Sequence, residues 1–160
     1  MAAPKFRTVF ARNDDDLRAA QRLRHSVFVA ELGAASDGSV LEADKFDADA
    51  DHLLLLDESR ALDDQVVGVY RLMNEAQARA AGTFSCAAEY DLQPILHSNK
   101  NLLELGRSCL HPNYRGGMAM YHLWRALAAY VEQTSTELLF GVASFHGTNP
   151  NDFSSALSVL

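Results

Sequence analysis

Long apolar segments are missing from this chain. No hydrophobic run approaches the roughly 18 residues that a membrane-spanning helix needs, and residues 1–5 form no apolar core of the kind found in signal peptides. Cysteine is scarce too, since Cys86 and Cys109 are the only two and lie at no spacing typical of a metal site. These absences argue against a membrane-spanning or disulfide-stabilised protein and favour a cytoplasmic one with reduced thiols.

Positive charge is also in deficit. With 14 basic against 21 acidic residues the net charge is −7, which argues against a nucleic-acid-binding protein. The excess is uneven, because ten acidic residues lie between Asp37 and Asp64, whereas residues 100–125 hold four basic residues and one acidic residue, Glu104. An acidic partner could therefore still find a basic surface, although an acidic loop on an ordinary globular protein explains the same pattern.

The apolar periodicity predicts one mixed domain. At 160 residues, 48% of them apolar, the chain is long enough to bury a substantial core. We predict strands at 6–11, 52–56, 66–72, 102–110 and 138–145 and helices at 14–31, 75–81, 117–132 and 154–160. This is the order of an α/β (α+β) domain with helices flanking a mixed sheet. The last helix stops without a cap, so we expect residues 1–160 to be a single domain truncated at its C-terminal end.

Apolar residues at helical spacing indicate which helix faces the sheet covers. In the first long helix these residues are Leu17, Ala20, Leu23, Val27 and Ala30. In the second they are Met120, Trp124, Leu127 and Val131. Arg24 and Phe28 lie beside the first stripe, one turn apart. The head group of Arg24 can reach into a site or its stem can cover the core, and Arg71 at the end of a strand has the same two options.

The segment from Leu102 to Gly117 carries the most chemical information. Its strand bears Glu104 and Arg107, leaves through a proline turn and enters the run Arg115-Gly116-Gly117, which opens a helix. Free N–H groups at a helix N-terminus bind anions, and glycine lets the backbone approach a phosphate. Gly106 is a natural place for a β-bulge, which would splay the strand and leave N–H groups free to hold an oxyanion. The arrangement suits acyl transfer from a phosphopantetheine thioester.

Three side chains of this segment are candidates for proton transfer or attack. Glu104 could accept a proton from an attacking amine, directly or through a water. A buried structural ion pair between Glu104 and Arg107 is the open alternative. Cys109 and His111 could form a thiol nucleophile and its base, although a cysteine on a strand is commonly just a small buried residue.

A predicted loop at residues 34–51 is rich in aspartate. Its carboxylates are Asp44, Asp47, Asp49 and Asp51. The last three, with Glu58, match four positions of a calcium loop, but His52 replaces the required glycine and a strand follows, so no metal is expected. We expect these carboxylates to be partly solvated and partly to hold a cationic substrate or a neighbouring arginine.

Together these residues resemble the GCN5-related N-acyltransferase (GNAT) superfamily. The resemblance covers nearly the whole chain, from Phe10 onward. Two branches are similar, the ornithine-lipid-forming N-acyltransferases and the acyl-homoserine-lactone synthases. The shared residues are Arg24, Phe28, Asp44-Lys45-Phe46-Asp47, His52, Arg71, Phe84, Glu89-Tyr90-Asp91-Leu92 and Glu104-Leu105-Gly106-Arg107. Leu103 to Cys109 with His111-Pro112, and Ser144 to Thr148, favour the first branch. Lactone synthases commonly have an aromatic residue after the first helix. Ala34 or Ala35 takes its place in this chain, which weakens the similarity to that branch.

The resemblance implies a GNAT-like, mostly antiparallel sheet with a splayed central strand. It also implies an enzyme that moves a (3-hydroxy)fatty acyl group from acyl carrier protein to the α-amine of an amino acid, ornithine above all. Under this resemblance Glu104 and Arg107 are catalytic. The substrate-binding residues are Arg24, Phe28, Asp44, Asp47 and Arg71. The residues that bind the donor's phosphopantetheine are Ser108, Cys109, Leu110, Arg115, Gly116 and Gly117. No cofactor is bound permanently.

One departure from the family pattern narrows the choice of acyl donor. Met118 stands where the acyltransferase loop usually has glycine, which disfavours a full coenzyme A cradle and favours the single phosphate of a carrier protein's arm. Two other functions stay open: a lactone synthase that uses S-adenosylmethionine, and a non-catalytic module that binds an acyl group or the carrier protein. Because the product is an amphiphile, peripheral contact with the inner membrane face also stays open.

Overall fold

A five-stranded sheet forms the centre of the computed structural model, which describes residues 3–35, 37–143 and 149–159. The strands are β1 (Phe6–Phe10), β2 (Asp51–Asp57), β3 (Val66–Asn74), β4 (Leu102–Leu110) and β5 (Leu138–Gly141). They lie side by side in chain order, with β1 to β4 antiparallel and β5 parallel to β4. The predicted mixed, mostly antiparallel sheet is therefore confirmed.

Helices and short turns connect these strands. The α-helices are α1 (Asp14–Arg24), α2 (Glu75–Ala80), α3 (Gln93–Leu96), α4 (Ala119–Thr134) and α5 (Ser154–Leu157). The 3-10 turns are Leu62–Asp64, Ser85–Ala88, Pro112–Tyr114 and Pro150–Phe153. The side chain of Asn13 caps α1 by accepting the Asp16 N–H at 2.9 Å. The helix predicted at 14–31 is continuous, but its second part, His25–Glu31, is a π-helix, which apolar spacing does not distinguish from an α-helix.

The two long helices cover opposite faces of the sheet. Along β2, Leu53 and Leu55 belong to the cluster packed on α4, whereas Leu54 belongs to the cluster packed on α1. Alternate strand residues point to opposite faces, so β2 is apolar on both sides because each face receives a helix. On the α1 face, Ala20, Leu23 and Val27 from the predicted stripe are buried.

The stripe predicted for α4 is partly wrong. Trp124 is 61% exposed, and the buried line of the helix is Ala119, Leu123 and Leu127. The helix is apolar nearly all round, so the sequence allows two interlaced stripes that share Leu127. The packing against β2 and β4 selects the one without the tryptophan.

A bulge separates β4 into two halves. Val69 pairs with Cys109 but Arg71 pairs with Gly106, so two residues of β4, Arg107 and Ser108, lie opposite one residue of β3. The left-handed backbone of Arg107, with a φ of 48°, marks the same point. The bulge was predicted at Gly106 and lies one residue later.

The fifth strand leaves β4 just before this bulge. It pairs with β4 only from Leu102 to Leu105, and it ends at Gly141, not at the predicted Phe145, which lies outside the described residues. A Cβ atom on Gly141 would lie 2.3 Å from the backbone oxygen of Leu105, so the two strands approach closely before they part. Within residues 3–35, 37–143 and 149–159, the outer half of β4 thus has no β5 partner, which confirms the predicted splay.

Within residues 3–35, 37–143 and 149–159, every helix is too short or too polar to cross a lipid bilayer.

Candidate active site

Six charged side chains close into a ring on the α1 face of the sheet. Carboxylates and guanidinium groups alternate around this charge ring, so each charge contacts two of opposite sign and the ring is neutral overall. Its members, in order, are Arg24, Asp47, Arg71, Asp44, Arg107 and Glu42. Five of the six were expected at a site from the sequence. Glu42 was missed, since nothing in its neighbourhood distinguishes it from the other acids of the loop.

Asp47 forms the buried side of the charge ring. Its Oδ1 accepts hydrogen bonds from Nη1 of Arg24 at 2.8 Å and Nη1 of Arg71 at 2.9 Å, and its Oδ2 accepts one from Gln21 Nε2 at 2.9 Å. Burial alone would raise the pKa of Asp47, but the hydrogen bond and charge of Arg24 outweigh it and lower the pKa to about 2. Asp47 is therefore ionised at any physiological pH and fully engaged inside the protein.

Arg24 and Phe28 support the ring from the first helix. Arg24 is 0% exposed, and its Nη2 atom is a buried nitrogen without a hydrogen-bond partner in the described part of the chain. Asp47 outweighs burial and raises the pKa of this guanidinium. Phe28 packs, half-buried, against the apolar cluster beside α1. Of the two options for Arg24, the head group inside the site is the one observed.

Arg107 and Asp44 form the open side of the charge ring. The side chain of Arg107 is 40% exposed, and it reaches Asp44 Oδ2 at 3.0 Å and Glu42 Oε1 at 3.2 Å. Asp44 also accepts Nη1 of Arg71 at 2.6 Å. Burial favours a higher pKa for Asp44, but Arg71 overcomes this and lowers it. Arg107 is the ring member that solvent reaches most readily.

His52 lies beneath the ring. Its Nε2 lies 3.0 Å from the backbone oxygen of Asp47, and its Nδ1 is buried without a partner among the described residues. Burial lowers the pKa of His52, so the imidazole is neutral and holds the loop backbone.

Glu104 is buried next to the ring and not within it. Its Oε1 accepts the Ser85 hydroxyl at 2.6 Å and the Cys86 N–H at 2.8 Å, and its Oε2 accepts the Ser85 N–H at 2.8 Å. Arg107 turns instead to the acidic loop, so the alternative of a Glu104–Arg107 ion pair is wrong. The bulge causes the difference, because it redirects the Arg107 side chain. A Cβ on Gly106 would lie 3.8 Å from Arg71 Nε and 4.0 Å from Ser85 Oγ. Gly106 therefore lies between the charge ring, through Arg71, and the hydrogen-bond partners of Glu104, through Ser85.

The glycine-rich corner follows β4. Gly116 has a φ of 73°, and α4 begins shortly after it, so first-turn N–H groups point out of the helix. Arg115 already has an anionic partner: Nη1 and Nη2 donate to Glu31 at 2.6 and 2.7 Å. Its Nε also donates to the Leu110 carbonyl at 3.3 Å. The predicted anion ligand is thus paired with a carboxylate.

The backbone of the outer half of β4 faces the gap left by β5. The His111 N–H donates to Val67 on β3 at 2.9 Å. Since successive amides of a strand point to opposite edges, the Leu110 N–H points toward the gap. Burial raises the pKa of the Cys109 thiol to about 12, and this disfavours a thiolate nucleophile. The two buried cysteines behave alike in this respect, because burial and Glu104 raise the pKa of Cys86 to about 12.

The corner is anchored to the β2–β3 hairpin through Tyr114. Its hydroxyl donates to Asp57 Oδ2 at 2.7 Å. Asp57 is buried and also accepts hydrogen bonds from the Lys5 N–H and from the Ser59 N–H and hydroxyl. Although burial opposes ionisation, these donors, Tyr114 above all, hold the pKa of Asp57 well below its ordinary value.

Removing the Tyr114 hydroxyl will therefore destabilise the protein. We expect Tyr114→Phe to lower the free energy of unfolding by about 2 kcal/mol, because a hydrogen bond to a buried carboxylate is lost. Denaturant unfolding at pH 7 measures it. Tyr90→Phe is the matched control, since Tyr90 is 54% exposed; equal losses for the two variants would contradict the anchor.

Asp44 and Asp47 bind arginines, one of the two kinds of partner that the sequence left open for the loop carboxylates. Across residues 3–35, 37–143 and 149–159, no three His, Cys, Asp or Glu side chains are grouped so as to hold a metal ion. The hydroxyl of Tyr130 donates to Asp51 at 2.7 Å, so this carboxylate of the calcium-like pattern is also occupied within the protein. The sequence Ser144 to Thr148, which favoured the ornithine branch, lies outside the described residues.

The splayed strand, with a buried glutamate before the bulge and a glycine-rich corner after it, is the arrangement that the sequence predicts for an acyltransferase-type fold. Residues 23–125 match the model of the acetyltransferase (GNAT) domain, and the chain belongs to this family.

Curated relatives within this family are similar to the chain over most of its length. The chain is 51% identical over 155 residues to an L-ornithine N(alpha)-acyltransferase of Rhodobacter capsulatus, a match that covers 92% of this chain and 60% of that protein. It is 42% identical over 152 residues to the protein of the same name from Brucella abortus, covering 90% and 54%. The chain thus spans little more than half the length of the curated relatives it matches.

Solved structures share the fold. An N-acyl amino acid synthase from uncultured soil microbes, FeeM, superposes with a TM-score of 0.65 at 18% identity, covering 99% of this chain and 78% of that one. The acyl-homoserine lactone synthase BjaI superposes with a TM-score of 0.63 at 21% identity, covering 96% and 72%. At these identities the likeness concerns the fold alone.

Proposed function

We propose that this protein transfers a fatty acyl group from acyl carrier protein to the α-amine of ornithine. The observation that carries the proposal is the open edge of β4, which lies between a buried carboxylate, Glu104, and an anion-binding corner at Gly116 and Gly117. Relatives named L-ornithine N(alpha)-acyltransferase support the choice of acceptor. Cytoplasmic location, and contact with the membrane face when the amphiphilic product leaves, belong to the same proposal.

The acyl donor lies along the open edge of β4. Of the predicted set Ser108, Cys109 and Leu110, the Leu110 N–H points into the gap and holds the thioester oxygen as it becomes an oxyanion, whereas the Cys109 N–H points to β3. The phosphate of the pantetheine arm reaches the amides of Gly116 and Gly117. Met118 at the usual glycine position supports a donor with one phosphate on a carrier protein over coenzyme A.

The amine enters on the open side of the charge ring. Arg107 is the exposed cation there and pairs with the substrate's carboxylate, while Asp44 holds a substrate ammonium group. Arg24, Asp47 and Arg71 are buried, and they hold Asp44 and Arg107 in place. The substrate-binding set predicted from the sequence is thereby divided into a contact residue, Asp44, and the positioning residues Arg24, Asp47 and Arg71. Arg107, predicted as catalytic, is proposed here as a second contact residue.

Glu104 takes up the proton that the reaction releases. The amine nitrogen attacks the thioester carbon, the C–N bond forms and the amine proton passes to Glu104. As the C–S bond breaks, this proton is passed on to the thiolate of the arm, which leaves as the free thiol, and Glu104 is ionised again. Since Glu104 is 3% exposed and bonded to Ser85, the amine proton reaches it through a water.

Arg115 can bind the phosphate only by exchanging its carboxylate partner. We expect Arg115→Gln to raise the KM for the acyl-carrier donor about ten-fold, since a charge-assisted hydrogen bond is lost. Glu31→Gln removes the competing charge and lowers the same KM several-fold. Steady-state kinetics at saturating ornithine measure both. The control is Glu58→Gln, which breaks an exposed pair with Arg7 away from the corner; a rise in KM for Glu31→Gln would show that Glu31 positions Arg115 and does not compete.

Incubating the protein with an acylated carrier protein and different amines tests the proposal. Mass spectrometry is expected to find N-acylornithine with ornithine and no acyl-homoserine lactone with S-adenosylmethionine. A lactone product would establish the synthase alternative. Binding of the carrier without turnover of any amine would establish a non-catalytic binding module.

A further inference from the structure

The outer face of α4 is apolar and exposed. Met118, Tyr121 and Trp124 follow one another at intervals of three residues and are 58%, 56% and 61% exposed. The same helix already has a complete core face on its other side. Three large side chains at this spacing lie beside one another on a helix, and such a patch on a well-packed helix marks an interaction surface.

The part of this face next to the corner carries one charge, and it is positive. Between Met118 and Val131 the only Asp, Glu, Lys or Arg is Arg125, and the first acidic residue of α4 is Glu132, two turns further on. Arg125 lies on this side of α4, and it has no ion pair within the described part of the chain. Trp, Tyr, Met and Arg are the residues enriched at the centres of protein–protein interfaces. The face therefore fits a partner that is itself acidic.

The position of the face limits what that partner is. Met118 directly follows Gly116 and Gly117, where the phosphate of the donor binds under the proposed function. In a carrier protein that phosphate is esterified to a serine of the carrier itself. The body of the carrier must therefore stand against this corner, and the next surface along the chain is the outer face of α4.

We infer that Met118, Tyr121, Trp124 and Arg125 form the docking surface for the acidic carrier protein. The inference rests on the proposed function and names its partner-binding surface. A lipid bilayer fits less well, because anionic membranes are bound by clusters of about four to eight basic residues, whereas this face offers Arg125 alone.

The only tryptophan of the chain, Trp124, belongs to this surface, so its fluorescence tests the inference directly. Titration with a tryptophan-free, phosphopantetheinylated acyl carrier protein is expected to shift the emission of Trp124 to the blue and to protect it from acrylamide. Arg125→Glu is expected to weaken carrier binding about ten-fold through charge repulsion. Leu62→Ala is the matched control, because Leu62 is 90% exposed on the turn between β2 and β3, and it leaves binding unchanged.

Kinetics with two donors separate this surface from the reaction. Tyr121→Ala is expected to raise the KM for the acyl-carrier donor about ten-fold and to leave that for acyl-phosphopantetheine unchanged. If neither donor yields product with the unaltered protein, the proposed function fails, while the fluorescence titration still reports docking. If product forms but the carrier leaves Trp124 unchanged, or binds Arg125→Glu equally well, the docking surface is wrong. A Trp124 emission already typical of a buried side chain in the free protein, or a shift caused only by phosphatidylglycerol vesicles, would also overturn it.

Discussion

Replacing Asp47 with asparagine will lower the free energy of unfolding by about 3–5 kcal/mol. The variant removes the carboxylate shared by Arg24 and Arg71, which are 0% and 3% exposed. Loss of one partner leaves buried cations without compensation, and this is costly in protein interiors. Guanidinium unfolding at pH 7 measures the loss. Asp49→Asn is the control from the same loop, because it removes the same charge from a side chain that has no hydrogen bond or ion pair among the described residues; a similar loss for both variants would contradict the ring.

The ionisation of Asp47 also makes the stability of the protein depend on pH in the acid range. The pKa of Asp47 is about 2 in the folded protein, below the ordinary value of about 4 in an unfolded chain. Its contribution to stability is therefore complete above about pH 4 and is lost as the pH falls toward 2. The stability of Asp47→Asn will fall less steeply over this interval than that of the unaltered protein. Parallel slopes would mean that Asp47 is not ionised within the ring.

Replacing Glu104 with glutamine will lower kcat about 100-fold or more, with the KM for the donor nearly unchanged. Glutamine has the size of glutamate but cannot take up the amine proton, and general-base catalysis contributes at least this factor. Acyl transfer measured at saturating donor and ornithine gives the ratio. Unchanged turnover in a folded variant would rule out the proposed proton acceptor.

A structural role for Glu104 makes a different prediction. Its carboxylate accepts three hydrogen bonds from Ser85 and Cys86, so its loss could act through the backbone there. Ser85→Ala removes the hydroxyl donor but leaves the carboxylate, and we expect its kcat to fall only a few-fold. If Ser85→Ala were as inactive as Glu104→Gln, the geometry of the 3-10 turn would explain the defect.

The fold was largely predictable because its elements have local signals. Asn13 caps the first helix, and β4 was predicted at its observed bounds because its apolar residues begin at Leu102 and are followed by a proline turn after Leu110. The face of α4 was not predictable, since Trp124 and Leu123 are equally apolar and only the packing against the sheet separates them. The π-helical turn from His25 to Glu31 likewise has no signal in the apolar spacing.

The sequence predicted most residues of the site but not which side chains pair with one another. Arg24, Asp44, Asp47, Arg71 and Arg107 were all singled out, but their closure into a ring depends on contacts across up to 65 residues of sequence, from Glu42 to Arg107. The bulge placed one residue beyond Gly106 turned Arg107 toward Asp44 and away from Glu104. Ser85 was missed because residues 84–96 had no clear periodicity, and Glu31 because a carboxylate near a helix end is ordinarily solvated.

The central claim is that this protein forms an amide at the α-nitrogen of ornithine, and one labelling experiment tests it. Ornithine carrying ¹⁵N only at the α-amine is incubated with the protein and an acylated carrier protein, and the product is fragmented in a mass spectrometer. We expect the acyl group on the labelled nitrogen. In Glu104→Gln, product formation is expected to fall by the same factor as kcat. An acyl group on the unlabelled side-chain nitrogen, or no acylornithine at all, would contradict the central claim.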